Sequence, residues 1–180
     1  MKKNKHLFFS ILSLFLGILF FVPKTLLALE PQYQFPEPSK IQIEVSLSTE
    51  EASLLLQALQ QGYLAEISFT VRVFQPRKGH LFGDALISEE QHAYTARWDP
   101  IAKDYTMYCC KGEKIFHLPS WESFLRYFTV SPALPIPQSK GNYSLCQVVL
   151  RPQVLLPPLQ IFNPLGKTVK SSWLRLDKLP

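Results

Sequence analysis

The sequence predicts a single α+β domain: an antiparallel β-sheet of about six strands with two amphipathic helices packed on it. A β-sandwich with helical insertions is the alternative. Three observations carry this prediction. Within residues 63–74, apolar and polar side chains alternate from Ala65 to Val73, the period of a strand with one wet face. Two segments, 50–61 and 120–128, instead place their apolar residues at helical spacing. Fifteen Pro and seven Gly in 180 residues point to many turns and extended connections rather than a helical bundle.

Taken in order, the first strand is 41–48, where Ile41, Ile43, Val45 and Leu47 alternate with Gln42, Glu44, Ser46 and Ser48. Ser48 and Glu51 have the spacing of a capping box, with Glu50 also suited to a helix N-terminus. Ala52, Leu54, Leu55, Leu56, Ala58 and Leu59 then form one broad apolar side, and Gly62 is placed to end the helix. Tyr63, Ala65, Ile67, Phe69, Val71 and Val73 alternate with Glu66, Ser68, Thr70 and Arg72 in the cleanest strand of the chain. Less regular strand character follows from Gly83 to Asp99, and Asp99-Pro100 marks a turn. Strands are expected at 104–110, 114–118 and 142–151. Trp121, Phe124, Leu125 and Phe128 fall at i, i+3, i+4 and i+7 of a second helix, a stripe that reads as core rather than as a ligand groove. Residues 131–138 are a proline-broken connector, residues 152–160 a polyproline-like path, and residues 171–176 an edge strand or packed tail.

Residues 7–22, LFFSILSLFLGILFFV, are an uncharged run behind Lys2, Lys3 and Lys5. This is the layout of a secretory signal, short for a membrane span. Residues 1–28 are therefore read as a signal peptide cut after Ala28 or as an uncleaved N-terminal anchor, engaging the membrane during export or afterwards. Leu26 is large for the position two residues before that cut, which keeps the anchor open. Residues 29–40, with Pro31, Pro36 and Pro38, read as an extended Pro-rich spacer, leaving 41–180 as the globular domain.

The net charge of +5 does not signal nucleic acid. Residues 1–28 hold four lysines and no acidic residue, so of 19 basic and 14 acidic residues the remainder keeps 15 and 14, a net of +1. A domain so nearly neutral offers little counterion release. The three cysteines, Cys109, Cys110 and Cys146, lack the spacing of a zinc or redox motif. They read as small buried residues, with a bridge from Cys146 to Cys109 or Cys110 as the alternative.

Motifs for chemistry are sparse. There is no Gly-x-Ser-x-Gly, no Ser-x-x-Lys and no phosphate-binding glycine loop. His80 and His92 with Glu89 or Glu90 are the best candidates for a metal site, although they lack ligand spacing. Glu89 with Glu90, Asp99 with Asp104, and His117 could serve hydrolysis only if folding converges them. Asn142-Tyr143-Ser144 is a glycosylation sequon in form. No residue is assigned a catalytic, cofactor or metal role, and no cofactor is implied.

The order of elements ends in Leu155-Leu156-Pro157-Pro158-Leu159-Gln160 near Trp173, after a Trp98-Asp99 strand end and a Tyr-rich return strand. Over residues 41–176 this resembles an uncharacterised family of bacterial exported proteins, a domain of unknown function. The resemblance implies an envelope location and no established activity. Members encoded beside membrane sensor kinases imply an accessory role in envelope sensing. The vicinal cysteines lie outside this pattern. The expectation is an exported protein of the periplasm or the extracytoplasmic membrane face, acting as a non-catalytic binding module on an envelope protein. The alternatives are a sensing accessory and a cryptic hydrolase.

Overall fold

The five inward residues of the long alternating strand form a fully buried column. In the computed structural model, which describes residues 29–77, 83–109, 114–137, 141–154 and 168–177, Ala65, Ile67, Phe69, Val71 and Val73 are each at most 1% exposed. Around them the chain forms β1 (Glu30–Glu37), β2 (Lys40–Ser46), α1 (Thr49–Gln60), β3 (Leu64–Gln75), β4 (Ala85–Asp99), β5 (Asp104–Cys109) and β6 (Lys114–Leu118). The series continues with α2 (Trp121–Phe128), β7 (Leu134–Pro135), β8 (Tyr143–Val154), β9 (Val169–Lys170) and β10 (Leu174–Leu176). The fold is α+β with antiparallel sheets, as predicted.

The larger sheet has the order β10-β8-β3-β4-β5-β6, with β9 also paired to β8. β3 is central because it pairs along its length with β4 on one side and β8 on the other. A smaller sheet, β1-β2-β7, contributes Ile41, Ile43 and Val45 to the same core. α1 lies across β8, β3 and β4, and α2 lies over β5 and β6. Phe124 stacks on Tyr105 at 4.9 Å and on Phe128 at 4.8 Å, so the aromatic stripe of α2 is core, as its spacing predicts.

Local chemistry explains the ends of α1. Ser48 Oγ accepts the Glu51 N–H at 3.2 Å, and Glu51 Oε2 accepts the Ser48 N–H at 2.8 Å, completing the capping box. At the other end Gly62 takes φ +84°, while the Tyr63 N–H reaches Ala58 O and the Gly62 N–H reaches Leu59 O, both at 3.0 Å. Those two bonds satisfy carbonyls that the helix leaves open, and they turn the chain directly into β3.

The proline-rich stretch 29–40 is not a spacer. β1 pairs with β2 from Glu30 opposite Ser46 to Glu37 opposite Lys40. Proline fits because β1 is an edge strand, where a missing N–H costs no ladder bond on the open side. Pro36 lies in the register shift between Gln34 and Glu37, and Pro38 occupies the turn. Pro152 is accommodated similarly: β8 runs on to Val154 through a register shift opposite Leu64–Glu66, rather than leaving the sheet at 152. Residues 155–160 of the expected polyproline path lie outside the described residues.

Two serines carry the ladder where strands break. The Ile43 N–H donates to Ser131 Oγ at 2.8 Å beside the 131–138 connector. The Val148 N–H donates to Ser171 Oγ at 2.9 Å in the gap between β9 and β10. The irregularity before Asp99 is a bulge: Val73 faces Ser88 and Phe74 faces Leu86, which leaves Ile87 unpaired and 46% exposed.

Ser48→Ala is expected to lower stability by about 1 kcal/mol through loss of the cap. Gly62→Ala is expected to cost about 1–2 kcal/mol because its φ suits only glycine, with open space excluding a steric cause. Chemical denaturation of each variant measures both.

Candidate functional site

Strand alternation decides which titratable groups can meet. Residues directly opposite in register share a face, so the inward face of the large sheet carries Glu90, His92, Tyr94, Cys109 and Lys114 at one flank. The outward face carries Glu89, Arg97, Asp99, Asp104, Thr106 and His117. Glu89 and Glu90, considered as a carboxylate pair, therefore point to opposite sides. Glu89 is held by Arg72, whose Nη2 donates at 3.2 Å and whose guanidinium lies 5.0 Å from the Trp173 ring centroid.

At the β4–β5 turn, Asp99 and Asp104 face each other across the hairpin. Asp99 Oδ1 accepts the N–H groups of Ile101 and Ala102 at 2.9 and 3.1 Å, which hold its carboxyl below the usual range. Asp104 Oδ2 lies 3.0 Å from His117 Nδ1, and Asp104 Oδ1 accepts from Thr106 Oγ1 at 3.3 Å. The carboxylate sits between hydroxyl and imidazole here. A nucleophilic triad needs the imidazole in the middle, so this cluster closes a turn and does not activate Thr106.

The opposite end of the outward face holds a second network. Tyr143 Oη donates to Asp84 Oδ2 at 2.8 Å, and that bond lowers the Asp84 pKa and raises that of Tyr143. Arg175 packs over the Tyr143 ring at 3.8 Å, and Phe74 stacks on the same ring at 5.4 Å.

Among the described residues, the inward face brings a thiol against an imidazole. Cys109 lies opposite Tyr94, which makes His92 its diagonal neighbour on β4. The imidazole spans that diagonal and brings Nε2 to 3.2 Å from Cys109 Sγ. Tyr94 meets the ring edge-on at 4.8 Å and is itself buried against Phe69. Burial lowers the His92 pKa and so favours neutral imidazole.

This pairing joins residues that sequence reasoning had placed in different roles, His92 as a metal candidate and Cys109 as a disulfide candidate. A signal was available: both lie on the inward parity of neighbouring strands. Among the described residues no three His, Cys, Asp or Glu groups converge for a metal ion, and His80 lies outside the described residues. Cys109 and Cys146 are both buried. β4 and β3 separate them, a distance of about 14 Å at usual strand spacing, which excludes a bridge between these two. Cys110 lies outside the described residues. The sequon residues Asn142 and Ser144 are buried at 4% and 0% exposure, which withholds them from modification in the folded domain.

The chain matches no protein-family model, no curated protein and no solved structure.

Two titrations test these environments. Tyr143→Phe is expected to raise the Asp84 pKa toward the ordinary carboxylate value, followed by NMR of its carboxyl carbon. For His92, the folded pKa lies below the unfolded one, so its contribution to stability is full above the unfolded value. It is lost as pH falls from there through the folded value. Unfolding curves across that window should lose this component in His92→Gln.

Proposed function

We propose that this chain is an exported cell-envelope protein that acts as a non-catalytic binding module, taking an extended segment of an envelope protein onto the edge of its large sheet at β6. The observation that carries the reading is the contrast among sheet edges. β1 carries Pro31 and Pro36, and the β9–β10 edge is broken over residues 171–173. β6 is continuous and contains no proline, and among the described residues it pairs only with β5. It exposes Ile115 at 55% and Phe116 at 37% on opposite faces. An unblocked edge with apolar side chains on both faces suits strand addition, where backbone bonds supply affinity and side-chain contacts supply selectivity.

Export rests on residues 7–22 and their lysine-rich head. Among the described residues no helix is long and apolar enough to cross a membrane. The resemblance to exported domains supports a sensing partner as the second reading. The hydrolase alternative has less to stand on, because Glu89, Glu90, His92, Asp99 and His117 are distributed over two faces and both ends of β4–β6.

A photo-crosslinking amino acid placed at Ile115 in the exported protein is expected to trap a defined envelope protein, and Ile101, 94% exposed on the β4–β5 turn, is expected to trap none. Equal trapping at both positions, or none at Ile115, overturns the edge reading. Sequencing the mature N-terminus separates a start at Leu29 from a retained Lys2 anchor.

A further inference from the structure

The side chains of β6 follow one another in an order that selects what pairs beside them. Lys114, Ile115, Phe116 and His117 are all exposed. Register on β5 places Lys114 and Phe116 on the inward face and Ile115 and His117 on the outward face, opposite Tyr108 and Thr106. Among the described residues Lys114 enters no ion pair. His117 Nδ1 lies 3.0 Å from Asp104 Oδ2. A carboxylate only accepts, so Nδ1 carries the hydrogen and the neutral ring keeps Nε2 as an acceptor. Asp99, the register partner of Asp104, puts a second carboxylate at that corner and disfavours a third.

We propose that the segment added to β6 runs antiparallel to it and carries, from its N-terminal side, a donor side chain such as Ser or Thr, two apolar residues and a carboxylate. This inference rests on the strand-addition reading of β6 and names what that edge selects. Every described pairing of the large sheet is antiparallel, and side chains directly opposite each other share a face. The donor therefore meets His117 Nε2 on the outward face. The first apolar residue covers Phe116 on the inward face, extending the apolar row of Ala96, Met107 and Phe116. The second covers Ile115 on the outward face beside Tyr108, and the carboxylate meets Lys114 on the inward face. Backbone bonds are alike for any sequence, so these side chains supply the selectivity. The exposed Lys114 pair adds little affinity, but it sets direction. Reversing the strand would bring the carboxylate to His117 and its two aspartates.

The test pans the immobilised full chain with a phage-displayed library of random dodecapeptides, and the strongest binder is then made as a soluble peptide. The expected result is an enriched order of donor, apolar, apolar, acid, with binding lost in Ile115→Asp and kept in Ile101→Asp. Replacing the acid of that peptide by Lys should weaken binding by about threefold, and Lys114→Glu should reverse the preference. A merely structural role for Lys114 would not produce that reversal. Peptides that depend on Ile115 but show no acid, carry it at the N-terminal end, or keep their preference in Lys114→Glu overturn this inference and leave strand addition standing. If no enriched peptide depends on Ile115, both fall.

Discussion

The structure depends on one constraint: β3 must bury its inward column while pairing on both sides. Ile67, Phe69, Val71 and Val73 have no alternative environment, since a one-residue slip would present Glu66, Thr70 and Arg72 to the core. With β4 and β8 locked in register on either flank, α1 has a fixed apolar floor, and the Gly62 turn delivers the chain from that helix straight into the strand that it covers. The rest of the molecule extends outward from this centre, and its chemistry is found at the margins.

The two faces of the large sheet have different characters for that reason. On the outward face Arg72 is paired with Glu89 and Arg151 with Glu66, while Asp104 holds His117 by a hydrogen bond. Exposed pairs of this kind add little stability. The inward face is apolar at its centre and polar only at its rim, where His92 and Cys109 meet. Low dielectric there strengthens short polar contacts.

Edge management follows the same logic. Prolines, which in the sequence look like breakers, are tolerated wherever the ladder has an open side or a register shift, as Pro31, Pro36 and Pro152 show. They also make β1 unattractive to a further strand. Among the described residues β6 pairs only with β5 and contains no proline, so the two edges of the large sheet differ.

The alternation of 63–74, the cap at Ser48, the helix stop at Gly62 and the aromatic stripe of α2 were legible from residue order, because each depends on neighbours within a few positions. The paired state of residues 30–37 was not, because it depends on β2 supplying hydrogen-bond partners and on β1 lying at an edge. The small sheet formed with β7 was hidden for the same reason. The candidate site was half legible. Strand parity places Glu89 and Glu90 on opposite faces and puts His92 and Cys109 on one face, but it cannot say that β5 returns beside β4 in a register that makes them diagonal neighbours. The residues determined by themselves which side chains seek the core and where helices start and stop. Only the tertiary structure decided which strands adjoin, and with that the separation of Cys109 from Cys146, the contact between Cys109 and His92, and the place of β6 at the end of the large sheet among the described residues. Side-chain periodicity is a local property, whereas the order of strands in a sheet is settled by the burial of the whole apolar surface at once.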